Sequence, residues 1–227
     1  MPTSYTSCCL HRSLLSLLFV CSSLMFLSCS SSDDEEGYPA LITEFTMAYA
    51  DSEGMLNHFI TDAGITYHAA NEVKGLDANE VARVLIGYSI EDNDGSQTSP
   101  RAWIYTAKAI PVLNDYIGKE SPSHDPTGVE SVWLGGRFIN CHLRPKTQGG
   151  KQSWAYLTDS VGVNALGGNT YHLSLFHRQM EDQQAYSGDL YLCIPLDSIA
   201  TFNPSDSLSF TIVTYTSSLT WRFNAKK

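Results

Sequence analysis

Seven histidines, six cysteines and twenty-four carboxylates supply groups for acid–base or metal chemistry, so their spacing decides what they can do. His172 and His177 lie an odd number of residues apart in YHLSLFHR. On a strand, whose side chains alternate with period two, they fall on opposite faces and cannot share one metal without a bulge. His142 and Arg144 share a face with Phe138 and Asn140 in RFINCHLR, where a surface or hydrogen-bonded histidine is the expectation. Asp92-Asn93-Asp94-Gly95-Ser96 hints at a calcium loop. With Gly95 as the turn glycine, an EF-hand would need an oxygen ligand at Ile90 and a bidentate acid at Arg101. Both fail, and the stretch reads as a hairpin turn. The chain has no G-x-S-x-G, G-x-x-x-x-G-K-[ST], G-x-G-x-x-G or H-E-x-x-H, and no C-x-x-C pair. No catalytic residue, metal or cofactor is therefore expected, although carboxylate pairs distant in sequence would leave no motif.

Aromatic pairs are the remaining candidates for binding. Trp103 with Tyr105, and Trp154 with Tyr156, could each stack on a sugar ring if their faces were exposed beside hydrogen-bonding groups. The competing expectation is that they fill small β-cores. Cys141 and Cys193 sit in strand-like runs, INCHL and YLCIPL. They would either pair in an oxidising compartment or remain as two small buried hydrophobes, the second being preferred.

Cys29 is a further position to weigh. Leu14 to Leu27, LLSLLFVCSSLMFL, is shorter than the roughly 20 apolar residues of a membrane helix and fits the hydrophobic segment of a signal peptide. Phe26-Leu27-Ser28-Cys29 then resembles a bacterial lipobox, in which a small residue precedes a cysteine that is acylated. An ordinary secretory signal that happens to be followed by Cys is the alternative. Cys8, Cys9 and Cys21 would leave with residues 1–28. Residues 29–37 form an acidic tether without an apolar position, which reads as solvated.

Hydrophobic residues make up 43% of the chain and charged ones 17%, the balance of a folded protein. Its net charge of −10 becomes −11 when the signal takes Arg12 with it. That balance excludes a nucleic-acid partner, whose phosphates need clustered Lys and Arg.

Five strands are expected between residues 38 and 119: 40–50, 55–64, 65–73, the end of 76–90, and 101–113 with Trp103, Tyr105 and Ala107 on one face. A helical or loop insertion before the fourth gives the strand count of an OB-like barrel. Residues 120–128 form a Pro-containing linker. Seven short strands then follow over 129–227: VESVWLGG, RFINCHLRP, QSWAYLTDS, NTYHLSLFHRQ, GDLYLCIPL, LSFTIVTYTS and LTWRFNAKK. They predict an antiparallel β-sandwich. The fold class is thus all-β, a barrel followed by a sandwich.

This arrangement resembles the NigD-like family of Bacteroidetes lipoproteins. The likeness rests on a W-x-G-G-x-aromatic-aliphatic-Asn stretch, matched by Trp133, Gly135, Gly136, Phe138, Ile139 and Asn140. LSLFHR (173–178), DSLSFTIVTY (206–215) and ARVLIGYSI (82–90) add to it, while AANEVKG stands where the family has a Trp-Pro stretch. The resemblance implies the same barrel and sandwich and brings no established activity or catalytic residue. Lipoproteins of this phylum that reach the surface often carry acids after the lipidated cysteine. Ser32, Asp33, Asp34, Glu35 and Glu36 look like that export signal.

Three roles are expected, in order. The first is a non-enzymatic lipid-anchored protein of the outer membrane, facing the cell surface, with the membrane as partner through its anchor. Within that role it could bind a glycan, through the barrel, or assemble with another envelope protein. An enzyme is the last expectation.

Overall fold

The computed structural model describes residues 40–91, 100–119 and 121–224, all within one compact unit. Cys29, the acids at 32–36 and the Asp92–Ser96 stretch lie outside the described residues. Strands β1 (Ile42–Ala50), β2 (Leu56–Thr61), β3 (Thr66–Ala69), β4 (Val81–Ile90) and β5 (Arg101–Ala109) close into a barrel in the order β1-β2-β3-β5-β4. Only β3 and β5 pair in parallel within it.

Alternation in these strands explains the closure. Ala48 on β1 and Ala82, Val84, Ile86 and Tyr88 on β4 turn into a core with Phe59, Tyr67, Ala102 and Ile104. Small residues on facing strands leave room for three stacked or edge-on aromatic rings, Phe59, Tyr67 and Tyr88. Residues 76–80, where a helical or loop insertion is expected, form a non-helical turn with Asn79 at a positive φ of 58°.

Beyond the barrel come β6 (Gly128–Gly135), β7 (Phe138–Arg144), β8 (Lys146–Thr147), β9 (Ser153–Val163), β10 (Asn169–Arg178), β11 (Tyr186–Ser187), β12 (Leu190–Pro195), β13 (Ser207–Val213) and β14 (Ser218–Asn224). Sheets β12-β7-β6 and β14-β13-β10-β9 face each other across a core that includes Ile139, Leu143, Ile194, Leu173, Leu175, Phe210 and Ile212. The sandwich is antiparallel except for the β10–β13 pair. The two-residue strands β8 and β11 pair only with each other.

The segment between barrel and sandwich is hydrogen-bonded rather than a free linker. Leu113 donates its N–H to the Cys193 carbonyl (2.8 Å), Tyr116 to Tyr156 (2.8 Å) and Asp125 to His177 (2.9 Å). It therefore runs from β12, the edge strand of one sheet, past β9, the edge strand of the other, and on to the end of β10, and closes that seam of the sandwich.

Barrel and sandwich meet on the outer face of β1 and β4. Phe45 and Leu85 pack there with Ile110, Trp133, Phe138, Tyr191 and Cys193. Beside them lies Arg83, whose side chain has no solvent exposure and makes a two-pronged ion pair with Asp62 at 2.6 and 2.8 Å. Arg83 Nη2 also donates to Asn140 Oδ1 on β7 (3.1 Å), and the guanidinium lies 4.4 Å from the Phe138 ring centre. Gly135 and Gly136, in the turn from β6 to β7, approach Asp62 so closely that a Cβ on either would run into its carboxylate. Gly136 also holds φ at +56°, a region that favours glycine.

The joint generates a stability prediction. Asp62→Ala leaves the Arg83 charge buried and unpaired and should cost about 3–5 kcal/mol in denaturant unfolding. Replacing both partners, as Asp62→Leu with Arg83→Met, should cost clearly less than the single change, because no charge is then stranded. A double variant as unstable as Asp62→Ala would show that the ion pair is not what the joint relies on.

Candidate functional site

The sandwich covers the outer face of β1 and β4, and among the described residues none packs over Trp103 and Tyr105 on the outer face of β5. These two residues are 46% and 50% exposed. Their strand is held from both sides. On one side, β3 ends at Ala69 and the Asn71 side chain takes over its ladder, donating to the Ile104 carbonyl (2.9 Å) and accepting from the Ile104 N–H (2.8 Å). On the other, Gly87 pairs with Thr106 and Tyr88 with Ile104, so Tyr105 is an extra residue in a bulge. Bulges bend a strand and re-aim its side chains. Here Ala107 becomes the partner of Ile86, a core residue, so it does not share the face of Trp103 and Tyr105. The expected three-residue row is a two-residue one for this reason.

Polar groups border the two rings. Ser89, the β4 partner of Trp103, has its hydroxyl 3.2 Å from that of Tyr105. Arg101 precedes Trp103 by one strand repeat, donates to the Ala70 carbonyl (3.3 Å) and pairs with Glu91 at 3.7 Å. His68 is the lateral neighbour of Arg101 on β3. An apolar platform with donors and acceptors at its rim is the chemistry that recognises a sugar, whose rings combine C–H faces with hydroxyl edges.

The second aromatic pair is placed differently. Tyr156 is 1% exposed in the sandwich core, with its hydroxyl 2.8 Å from that of Ser198. Trp154 stacks on the buried His177 at 3.8 Å and an interplanar angle of 6°. Both rings are engaged by the protein itself, because β9 faces the other sheet and the strapping segment, so they form no platform.

The histidines singled out by spacing do not meet at one site, and both cysteines are buried. His177 has one ring nitrogen 2.8 Å from the Asp125 carbonyl and the other 2.9 Å from Gln152 Oε1, whereas His172 is exposed. Burial lowers the pKa of His177. His142 and Arg144 do share a face, and Asp189 joins them at 2.8 and 3.1 Å, with the His142 ring stacked on Tyr191. Cys141 and Cys193 are both free and buried. Cys141 pairs with Leu192 and Cys193 with Asn140 on adjacent strands, which turns the thiols to opposite faces of the sheet. Cys141 enters the sandwich core and Cys193 the joint, where burial pushes its thiol up to about 11.

A cleft of about 640 Å³ lies at the seam of the sandwich that the strap does not close. Leu134, Phe202, Leu208 and Phe223 wall it, and its one ionisable lining residue, Arg137, is paired with Asp197. Another depression surrounds Asp182, which accepts from Thr147 Oγ1 (2.5 Å), the Gln148 N–H (2.9 Å), Gln152 Nε2 (2.7 Å) and the Gly150 N–H (3.0 Å). These donors, Thr147 foremost, hold its carboxyl far below the usual carboxylate range. The acid is an anchor for the loop after β8. Because its native pKa is depressed, it stabilises the fold above about pH 4 and loses that effect as pH falls through the native value. Asp182→Asn should therefore flatten the acid limb of a stability–pH curve, and an unchanged limb would count against the anchor.

No family model and no curated protein matches the chain. Solved structures do. A NigD-like immunity protein from Bacteroides caccae is 22% identical, covers 84% of this chain and 100% of its own, and superposes with a TM-score of 0.63. A protein of Parabacteroides distasonis, provisionally described as toxin-related, is 12% identical over 82% of this chain and 94% of its own, TM-score 0.64. One of Bacteroides fragilis, provisionally described as a lipoprotein, is 13% identical over 83% and 99%, TM-score 0.57. The chain shares the fold of the NigD-like immunity protein and of these Bacteroidetes proteins, as its barrel, sandwich and W-x-G-G-x-F-I-N stretch implied.

Proposed function

We propose that this chain is a non-enzymatic, lipid-anchored protein of the bacterial outer membrane that faces the cell surface and binds a glycan on the uncovered face of its barrel. The observation that carries the binding role is the pair of half-exposed rings, Trp103 and Tyr105, beside Arg101 and Ser89. OB-like barrels bind oligosaccharides on their strand faces, a likeness of fold that supports this choice of surface. The anchor follows from Ser28-Cys29 at the end of an apolar segment, and the outward orientation from the acids at 32–36. Each buried CH₂ of an acyl chain contributes about 0.8 kcal/mol, so several chains on Cys29 would make attachment durable without a membrane helix.

Three experiments test this. Cys29→Ser should move the protein from the outer-membrane fraction to the soluble one, and the wild type should carry a diacylglycerol mass on Cys29. A free N-terminus at another residue contradicts the anchor. Shaving intact cells with protease should remove the protein, and protection of protein that is still in the outer-membrane fraction contradicts the outward orientation. On a glycan panel the wild type should show a raised melting temperature with a subset of sugars, lost in Trp103→Ala and Tyr105→Ala. Since surface substitutions usually change stability by within about 0.5 kcal/mol, the unliganded variants should melt like the wild type. A panel without any shift, or shifts retained in both variants, contradicts the glycan role.

A further inference from the structure

We propose that His58 and His68 form a site for a divalent transition-metal ion of the zinc, nickel or copper type on the outer face of the barrel. The two residues are direct cross-strand partners on β2 and β3. Their register is set by the tight turn at 61–65, in which Thr61 donates its N–H to the Ile65 carbonyl and Gly64 holds φ at +83°. A slip of one residue would send one imidazole into the barrel core. The ring centres are 5.8 Å apart and tilted by 43°. A metal–imidazole bond of about 2.0–2.1 Å puts the ion roughly 3 Å from each ring centre, so rings at this separation can share one ion.

Other features of the site favour a metal over a purely structural histidine pair. Among the described residues none hydrogen-bonds to either ring, whereas ring nitrogens of His124, His142 and His177 are engaged by protein groups. Tyr49 stacks on His58 at 4.5 Å and 7°, which restricts that ring before any ion arrives. Arg101, the lateral neighbour of His68, would repel a cation, but Glu91 and the Ala70 carbonyl engage its guanidinium. The net charge of −10 attracts cations to the molecule as a whole. Two imidazoles leave the remaining coordination positions to water, so the affinity should be moderate and follow the order nickel below copper and copper above zinc.

The test uses the full-length chain in detergent, purified without a histidine tag, titrated calorimetrically with Ni²⁺ and Zn²⁺. Wild type should bind one ion per chain. His58→Gln and His68→Gln should each lose that binding, while His172→Gln, which alters an exposed lone histidine, should keep it. Ni²⁺ should also broaden the NMR signals of the His58 and His68 rings before any others, a readout that does not need a variant. Binding that survives either single substitution, binding lost in His172→Gln, broadening centred elsewhere, or a wild type that binds no ion would each overturn the proposal.

Discussion

A guanidinium without access to water dictates how the two halves of this molecule sit together. Arg83 belongs to the barrel, yet part of what satisfies it comes from the sandwich: Asn140 accepts from it and Phe138 lies across its plane. Asp62, from the β2–β3 turn, carries the opposing charge. Moving the halves apart would strand a buried charge, at a cost far above that of exposing an ordinary side chain. Trp133, Gly135, Gly136, Phe138 and Asn140 all converge on this joint, since Trp133 packs on Phe45 and the glycines make room for Asp62. The W-x-G-G-x-F-I-N stretch is thus explained by docking barrel to sandwich, with no chemistry required of it.

That docking chooses which surfaces stay available. By occupying the outer face of β1 and β4, the sandwich leaves β2, β3 and β5 to present His58, His68, Arg101, Trp103 and Tyr105. The strap between the halves acts in a similar way on the sandwich, closing the seam between β12 and β9 and leaving the opposite one as a cleft. Both candidate binding surfaces are therefore consequences of packing far from them.

Much of the fold was legible because period-two patterns are local. The alternation in VARVLIGYSI places Ala82, Val84, Ile86, Tyr88 and Ile90 on one face, and the first four of these enter the core while Ile90, at the strand's end, is exposed. A lone Arg83 on the other face, next to Leu85, hints at a buried charge, but its partner Asp62 is close only in space. The bulge at Tyr105 was not legible, because an unpaired residue is defined by the strand opposite it. Strands β8 and β11, of two residues each, are too short for any periodicity. The approach of His58 and His68 is not legible in the sequence, because it depends on hairpin register rather than spacing.

By itself the sequence determined the all-β class and the barrel-then-sandwich order, both of which are written in composition and alternation. The tertiary structure alone decided which of those patterns meets solvent. Trp-Ile-Tyr at 103–105 and Trp-Ala-Tyr at 154–156 are the same pattern on strands, yet one is displayed and the other is engaged inside the protein. Cys141 and Cys193 are likewise near neighbours turned apart by a single step of register. The physical reason is common to both: a strand specifies two faces, and only the layers packed against it determine which face is buried.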